Sequence, residues 1–140
     1  MNPLPIILGL SLAACTLSGH IYIPSHPPQI QHYTYEVSPR ILWGLAHAES
    51  DFDNYAISRD GHDKGMFQLR DTYNKLRNVQ NPYDPAESAR HASRILLDNL
   101  IECHTTLKAL AAYRQGTNGV KKHGITKESY LYAAKIINFR

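Results

Sequence analysis

Ser38-Pro39-Arg40-Ile41-Leu42-Trp43-Gly44-Leu45-Ala46-His47-Ala48-Glu49-Ser50 carries the two features on which the chain's reading turns, a helix start and an acid on an apolar face. A hydroxyl residue followed by proline is an N-cap and a first helical position. Ile41, Leu42, Leu45, Ala46 and Ala48 then recur at helical spacing, up to Glu49 or Ser50. At about 100° per residue, Leu42 and Leu45 fall within about 40° of Glu49 around the helix axis. A carboxyl therefore sits on the apolar stripe, at the negative end of the helix dipole. Burial, the dipole and nearby carboxylates such as Asp51 or Asp53 all favour its protonated form. A carboxylic acid that keeps its proton near neutral pH can protonate a leaving glycosidic oxygen. Taken alone, the same pattern also fits a helix-end glutamate that swings into solvent.

Outward from this helix the texture stays helical. Residues 51–65 are rich in Asp, Asn and Gly and read as a long loop, and a short helix follows Asp71. Asp84-Pro85-Ala86-Glu87 is a capping box that opens the longest helix, 85–102, with the stripe Ala89, Ser93, Leu96, Leu97 and Leu100. Thr105 or Thr106 caps a helix that ends at Gln115 with Gly116 as its stop. Thr126 caps the last helix, which runs through Tyr132 to about residue 137. No segment alternates with period two, so the expectation is an all-α domain over 37–140 without a sheet.

Upstream the pattern differs. Residues 5–15 are apolar but too short for a membrane span, which needs roughly 20 such residues. They fit the apolar region of an export signal. Leu12-Ala13-Ala14-Cys15 resembles the bacterial lipobox, which implies a signal peptide over residues 1–15 with Cys15 lipidated; the usual Lys or Arg ahead of the apolar run is missing, and a plain signal cleaved near Ala14 is the alternative. Residues 16–36 hold Pro24, Pro27 and Pro28 and read as a tether, with His20, His26 and His32 as solvated linker residues rather than a metal tract.

Bulk properties narrow the classes. The chain has 140 residues, 43% hydrophobic and 19% charged, enough for one folded domain. A net charge of +3 suits contact with an anionic polymer, but only Lys121 and Lys122 are adjacent cations, so no nucleic-acid patch is indicated. Two cysteines exclude a multi-cysteine zinc site, and with Cys15 lipidated Cys103 becomes a buried free thiol. His47-Ala48-Glu49 echoes the zinc deaminases, but the Pro-Cys-x-x-Cys partner is missing. His47 and Asp51, at i and i+4, read as a solvent-facing pair rather than metal ligands.

The surroundings of Glu49 resemble the catalytic core of the soluble-lytic-transglycosylase and goose-lysozyme group. Ala48-Glu49-Ser50, followed by Phe52, matches the Glu-Ser pair that ends that family's first core helix. Ala56-Ile57-Ser58 matches its Ala-Val-Ser. Gly65-Met66-Phe67-Gln68-Leu69 matches Gly-Leu-Met-Gln-Ile. Ala112-Tyr113-Arg114-Gln115-Gly116 matches Ala-Tyr-Asn-x-Gly. Tyr132-Ala133-Ala134-Lys135-Ile136 matches Tyr-Val-x-Lys-Val. Each piece is weak alone; their order and spacing over residues 37–138 give them weight. The departures are a Gly61-His62-Asp63-Lys64-Gly65 turn one residue longer than the commonest form, similar to small secretion-associated members, and Arg114 in place of Asn.

The resemblance implies a lysozyme-like fold with a substrate cleft and the cleavage of peptidoglycan. Glu49 would be the catalytic acid, with Ser58, Gln68, Tyr113 and Tyr132 binding substrate or orienting the acid. Tyr132 would bond Glu49, Met66 and Phe67 would form core or cleft wall, and no metal or cofactor would be needed. A one-acid mechanism closes a 1,6-anhydro ring on muramic acid, where ordinary glycosidases use two carboxylates. Asp51, Asp53, Asp60 and Asp63 keep a hydrolytic muramidase open, with Asp63 read as pinning its own turn. A non-catalytic wall-binding lipoprotein on the same scaffold is the non-enzyme alternative. The implied setting is exported and periplasmic, anchored to a membrane by lipid. The partners are glycan strands and, from the small size, a secretion, pilus or flagellar machine.

Overall fold

A computed structural model describes residues 37–140. The signal segment, Cys15 and the Pro/His tether lie outside the described residues. The first helix, α1 (Pro39–Ser50), begins where the Ser-Pro pair places it, but by a different bond. The Ser38 carbonyl accepts from the N–H groups of Ile41 and Leu42, while its hydroxyl makes no capping bond. Proline's fixed φ therefore starts the helix rather than a side-chain cap.

Two successive residues in left-handed conformation, Asp51 (φ 54°) and Phe52 (φ 66°), end α1 and turn the chain sharply. Asp51 N–H donates to His47 O and Phe52 N–H to Ala46 O, which closes the helix's last carbonyls. A residue with a side chain costs roughly 1–2 kcal/mol in this region. Phe52 offsets part of that cost by packing against His47 and Phe139, ring centroids 5.9 and 6.3 Å away.

The expectation of no sheet is corrected here. β1 (Asp63–Lys64) and β2 (Leu69–Arg70) form an antiparallel hairpin, pairing Asp63 with Arg70 and Lys64 with Leu69, and Ile57 bridges to Lys64 from the other side. Strands of two residues have no room for alternation, so no period-two signal exists to be read. Gly65 opens the hairpin turn at φ +78°, where a Cβ would stand 2.0 Å from the carbonyl oxygen of Pro82. Only glycine meets both requirements.

The remaining helices are α2 (Asp71–Leu76), α3 (Pro85–Cys103), α4 (Thr106–Gln115), α5 (Thr117–His123) and α6 (Lys127–Ile137). The Asp84 carboxylate caps α3 by accepting from Glu87 N–H at 2.7 Å. The other half of the expected box is absent, because the Glu87 carboxylate turns back to accept from Gln80 and Asn81 N–H. Thr105 and Thr126 cap α4 and α6. On α3, Ala89, Ser93 and Leu96 are buried as the stripe predicts, but Leu100 is exposed. The sequence reading had no α5: it begins directly after Gly116 and buries one apolar side chain, Val120.

α4 packs against α3, α5 and α6, and α1 lies on α6. Leu42, Leu45, Met66, Phe67, Leu69, Leu110 and Ile136 are fully buried between these elements. A Cβ on Gly44 would come within 2.7 Å of Ile136 O, so glycine sets the close approach of α1 to α6. That approach brings the end of α1 beside the middle of α6. Cys103 is the buried free thiol expected.

Candidate active site

The end of α1 delivers Glu49, and one helix across, α6 delivers Tyr132. The Tyr132 hydroxyl donates a hydrogen bond to Glu49 Oε1. Burial raises the pKa of Glu49 above the ordinary carboxylate value; the Tyr132 bond and the Arg114 charge oppose this, and Asp63 reinforces it. Burial and the adjoining Glu49 push the Tyr132 phenol far up, so it stays a donor. The acid is thus held at one position by a group that cannot itself lose its proton in the working pH range.

Glu49 opens onto a cleft of about 350 Å³ lined by Asp63, Gln68, Leu69, Arg70, Tyr73, Ile95, Tyr113 and Arg114. Its helical lining comes from α1, α2, α3 and α4. The other wall is the hairpin with the turn at residues 65–68. This turn is fastened at two neighbouring carbonyls. Ser50 Oγ donates to Met66 O at 2.8 Å, and Tyr113 OH donates to Phe67 O at 2.9 Å. Between them, Met66 and Phe67 point into the core, as core or wall residues should.

Gln68 sits next in a left-handed conformation (φ 48°) and lines the cleft. Its Nε2 donates to Gly65 O at 3.0 Å and Ala56 O at 3.3 Å, which fixes the amide plane. The Oε1 atom bonds to nothing among the described residues and remains an acceptor for a ligand N–H. Strained backbone at such a position is compatible with a functional role.

The structure brings Glu49, Gln68 and Tyr113 to one cleft, with Tyr132 behind the acid. Ser58 is elsewhere. Its hydroxyl donates to Asp60 Oδ1 at 2.6 Å and accepts from Asp63 N–H at 3.0 Å, inside the turn that leads to β1. Ser58 is not among the cleft-lining residues; its bonds shape the turn that presents Asp63. Asp63 itself lines the cleft, half-buried, with both carboxylate oxygens 3.1 Å from Arg70 Nη1. Asp51 and Asp53 are exposed on the far side of the turn after α1, and Asp53 caps Tyr55 N–H.

Four contributors carry no mark in the sequence: Ser50, Tyr73, Ile95 and Arg70, the last lining the cleft from β2 and holding Asp63. Ser50 was read only as half of a Glu-Ser pair, and its bond to Met66 O spans residues that no local pattern connects. Tyr73 and Ile95 line the cleft from α2 and α3. The Tyr73 hydroxyl shares a hydrogen bond with buried His91 Nδ1 at 3.3 Å. His47, two residues before the acid, pairs with Asp51 at 3.5 Å, packs at a tilt against Phe139 and does not line the cleft.

With this geometry in view, two comparisons are informative. The sequence model for the Transglycosylase SLT domain matches residues 27–136. Among solved structures, the chain is similar to an inactive mutant of the lytic transglycosylase Slt from Pseudomonas aeruginosa, with a TM-score of 0.62 and 17% identity. The match covers 74% of this chain and 21% of that one, so this chain spans about a fifth of that protein's length. At this identity the likeness is one of fold.

Proposed function

The chain belongs to the SLT transglycosylase domain family and has its lysozyme-like helical fold, and on that premise we propose that it is a peptidoglycan lytic transglycosylase with Glu49 as its single catalytic acid. The observation that carries the reading is the Glu49 carboxyl itself. It is raised toward its neutral form by burial, aimed into a cleft, and held by a hydroxyl that remains protonated. Glu49 protonates the oxygen that links N-acetylmuramic acid to N-acetylglucosamine, and that bond breaks. The substrate's own N-acetyl group stabilises the positive charge at C1. Glu49, now a carboxylate, takes the proton of the muramic C6 hydroxyl, whose oxygen closes onto C1 as a 1,6-anhydro ring. No water is consumed, and the internal nucleophile acts at high effective concentration.

Tyr132 holds the acid's orientation and stabilises the carboxylate formed in the first step. Gln68 Oε1 is placed to accept from an acetamido N–H. Tyr113 keeps the Gln68 turn in place through Phe67 O. Ser58 acts at one remove, through the turn that presents Asp63. The sequence supports export and a lipid anchor at Cys15, which puts the domain beside the wall at a bacterial membrane. The small domain size and the long turn before Gly65 favour service to a secretion, pilus or flagellar machine.

One observation favours a second reading. Asp63 shares the cleft with Glu49 and offers a second carboxylate, as a hydrolytic muramidase requires. Its bonds to Arg70 speak for a carboxylate fixed as part of the wall rather than one free to activate water.

The deciding experiment is mass spectrometry of peptidoglycan digested by residues 37–140, beside Glu49→Gln. Muropeptides ending in 1,6-anhydro-muramic acid, about 18 Da lighter than hydrolysed ends because no water is added, are the expected products. Glu49→Gln should lower turnover by about a thousandfold or more, since Gln has no proton to give. Reducing ends would establish the hydrolase and move the base role to Asp63. An absence of products from folded protein would put the wall-binding scaffold first.

A further inference from the structure

We propose that Arg114 is a specificity residue that reads a carboxylate on the muramic residue at the cleavage point. This rests on the transglycosylase reading for the identity of the ligand, but not on the chemistry of cleavage.

Charge bookkeeping in the cleft leads there. The lining holds two cations, Arg70 and Arg114, and two carboxyls, Glu49 and Asp63. Asp63 is taken by Arg70, which also reaches Asp60 at 3.5 Å. Glu49 accepts from Tyr132 and is biased to its neutral form. Arg114 makes no ion pair within 4.0 Å among the described residues. It is exposed to solvent and lines the cleft with no carboxylate paired to it, open to an anion on a ligand.

Its placement is specific. The guanidinium lies over the Tyr132 ring, 5.6 Å from the centroid, so the acid's own partner supports one face of the fork. The guanidinium makes no hydrogen bond among the described residues, and its planar fork of N–H groups matches a carboxylate bidentately. Gln115 locks the adjoining end of α4, with Nε2 donating to Gly124 O at 2.8 Å and Oε1 accepting from Thr126 N–H at 3.1 Å. The arginine thus stands on a fixed support and lines the same cleft as Glu49.

Among the sugars of the glycan, the muramic residue is the one that brings a carboxylate. It has two forms. A peptide-free residue exposes its lactyl carboxylate. A peptide-bearing residue loses that charge to an amide but carries the free α-carboxylate of its D-glutamate. Either gives Arg114 the same chemical partner, and Gln or Asn at this position would recognise a charged and a neutral strand alike.

The test is calorimetric binding of short muramyl glycans to Glu49→Gln protein, which binds without cutting. Three ligands are compared: peptide-free with a free lactyl carboxylate, the same glycan amidated, and the peptide-bearing form. The proposal expects a carboxylate form to bind about tenfold or more tighter than the amide, as a charge-assisted fork implies. Added R114Q should erase that ratio, and R114K should keep part of it. Preference for the peptide-free acid identifies the lactyl group; preference for the peptide-bearing form that is lost when the D-glutamate α-carboxylate is amidated identifies the D-glutamate. Binding of neither carboxylate form more tightly than the amide, or an equal loss on all three ligands with R114Q, overturns the proposal. The Glu49→Gln background removes any effect Arg114 has through the acid's protonation. Wild-type digestion of the same glycans separates the two readings. A carboxylate preference without cleavage keeps Arg114 and sinks the transglycosylase; cleavage without the preference does the reverse.

Discussion

The two walls of the cleft are built by different physics. The helical wall, where α1 meets α6 and α4, is held by apolar burial: Leu42, Leu45, Leu110 and Ile136 are fully enclosed. The hairpin wall, residues 51–71, is held on its outer side by polar bonds at the surface. Lys64 pairs with Asp71 at 2.6 Å, Arg70 with Asp63 and Asp60, and Ser58 with Asp60. Surface ion pairs contribute little each, typically up to about 1 kcal/mol, whereas a buried leucine contributes several times that. The helical wall is thus held by burial along its length, whereas the hairpin wall reaches the core only through Met66, Phe67 and Leu69 and its outer turn contributes shape. The acid keeps its place because its wall is the one that does not yield.

Leu45→Ala probes this division most strongly. Losing a fully buried side chain one turn before Glu49 should cost about 2–5 kcal/mol and lower the melting temperature by about 10 °C or more. A shift of only a degree or two would mean that α1 does not hold the fold. Gly65→Ala comes next, at the joint between the walls. An alanine there meets Pro82 O and an unfavourable φ, so the turn carrying Gln68 must move. Cleavage should fall about a hundredfold, as displacement near a reacting centre does. The melting temperature should fall less than for Leu45→Ala. Activity and melting temperature falling together to the Leu45→Ala level would erase the distinction between the walls.

The smallest effects carry opposite signs with pH. Burial lifts the folded-state pKa of Glu49 above its unfolded value. The stability from this group is present below the unfolded pKa and lost as pH rises through the folded one. Asp71 is held low first by its bond to Lys64, and Asp60 first by its bond to Ser58. Their contribution is present above the unfolded pKa and lost as pH falls through the folded one. In thermal scans Glu49→Gln should therefore raise the midpoint by a few degrees near pH 8 and lose that gain near pH 4, whereas Asp71→Asn should lower it near pH 7 and converge with wild type by about pH 2. Parallel curves for both variants would break the comparison.

The same division explains what could be read in the sequence. The helical wall was legible because Ser38-Pro39, Asp84-Pro85, Thr105 and Thr126 mark starts, and because the apolar residues between them recur at helical spacing. Glu49 stood out against that periodicity, and the resemblance supplied Tyr132 and Gln68. The hairpin wall left no such trace. Two-residue strands carry no alternation, and Ser50 to Met66 O is a contact between positions with no sequence rule to join them. α5 was silent because Val120 is its one buried apolar side chain, too little for a stripe. Ser58 shows the limit of a motif: the residue stands where the family pattern puts it, but its bonds are spent inside the turn.

The Gln68 turn hangs from the helices by the carbonyls of Met66 and Phe67, through Ser50 and Tyr113. It is suspended from the stable wall as well as tied to the hairpin side through the carbonyls of Ala56 and Gly65. A change of length ahead of β1, at the exposed Gly61 and His62, leaves these suspension points and the Asp63–Arg70 and Lys64–Leu69 pairing in place. The extra residue in that segment is an allowed variation of this design. The segment is also the natural insertion point for an engineer who wants to lengthen the cleft lip or attach a targeting peptide without touching the acid.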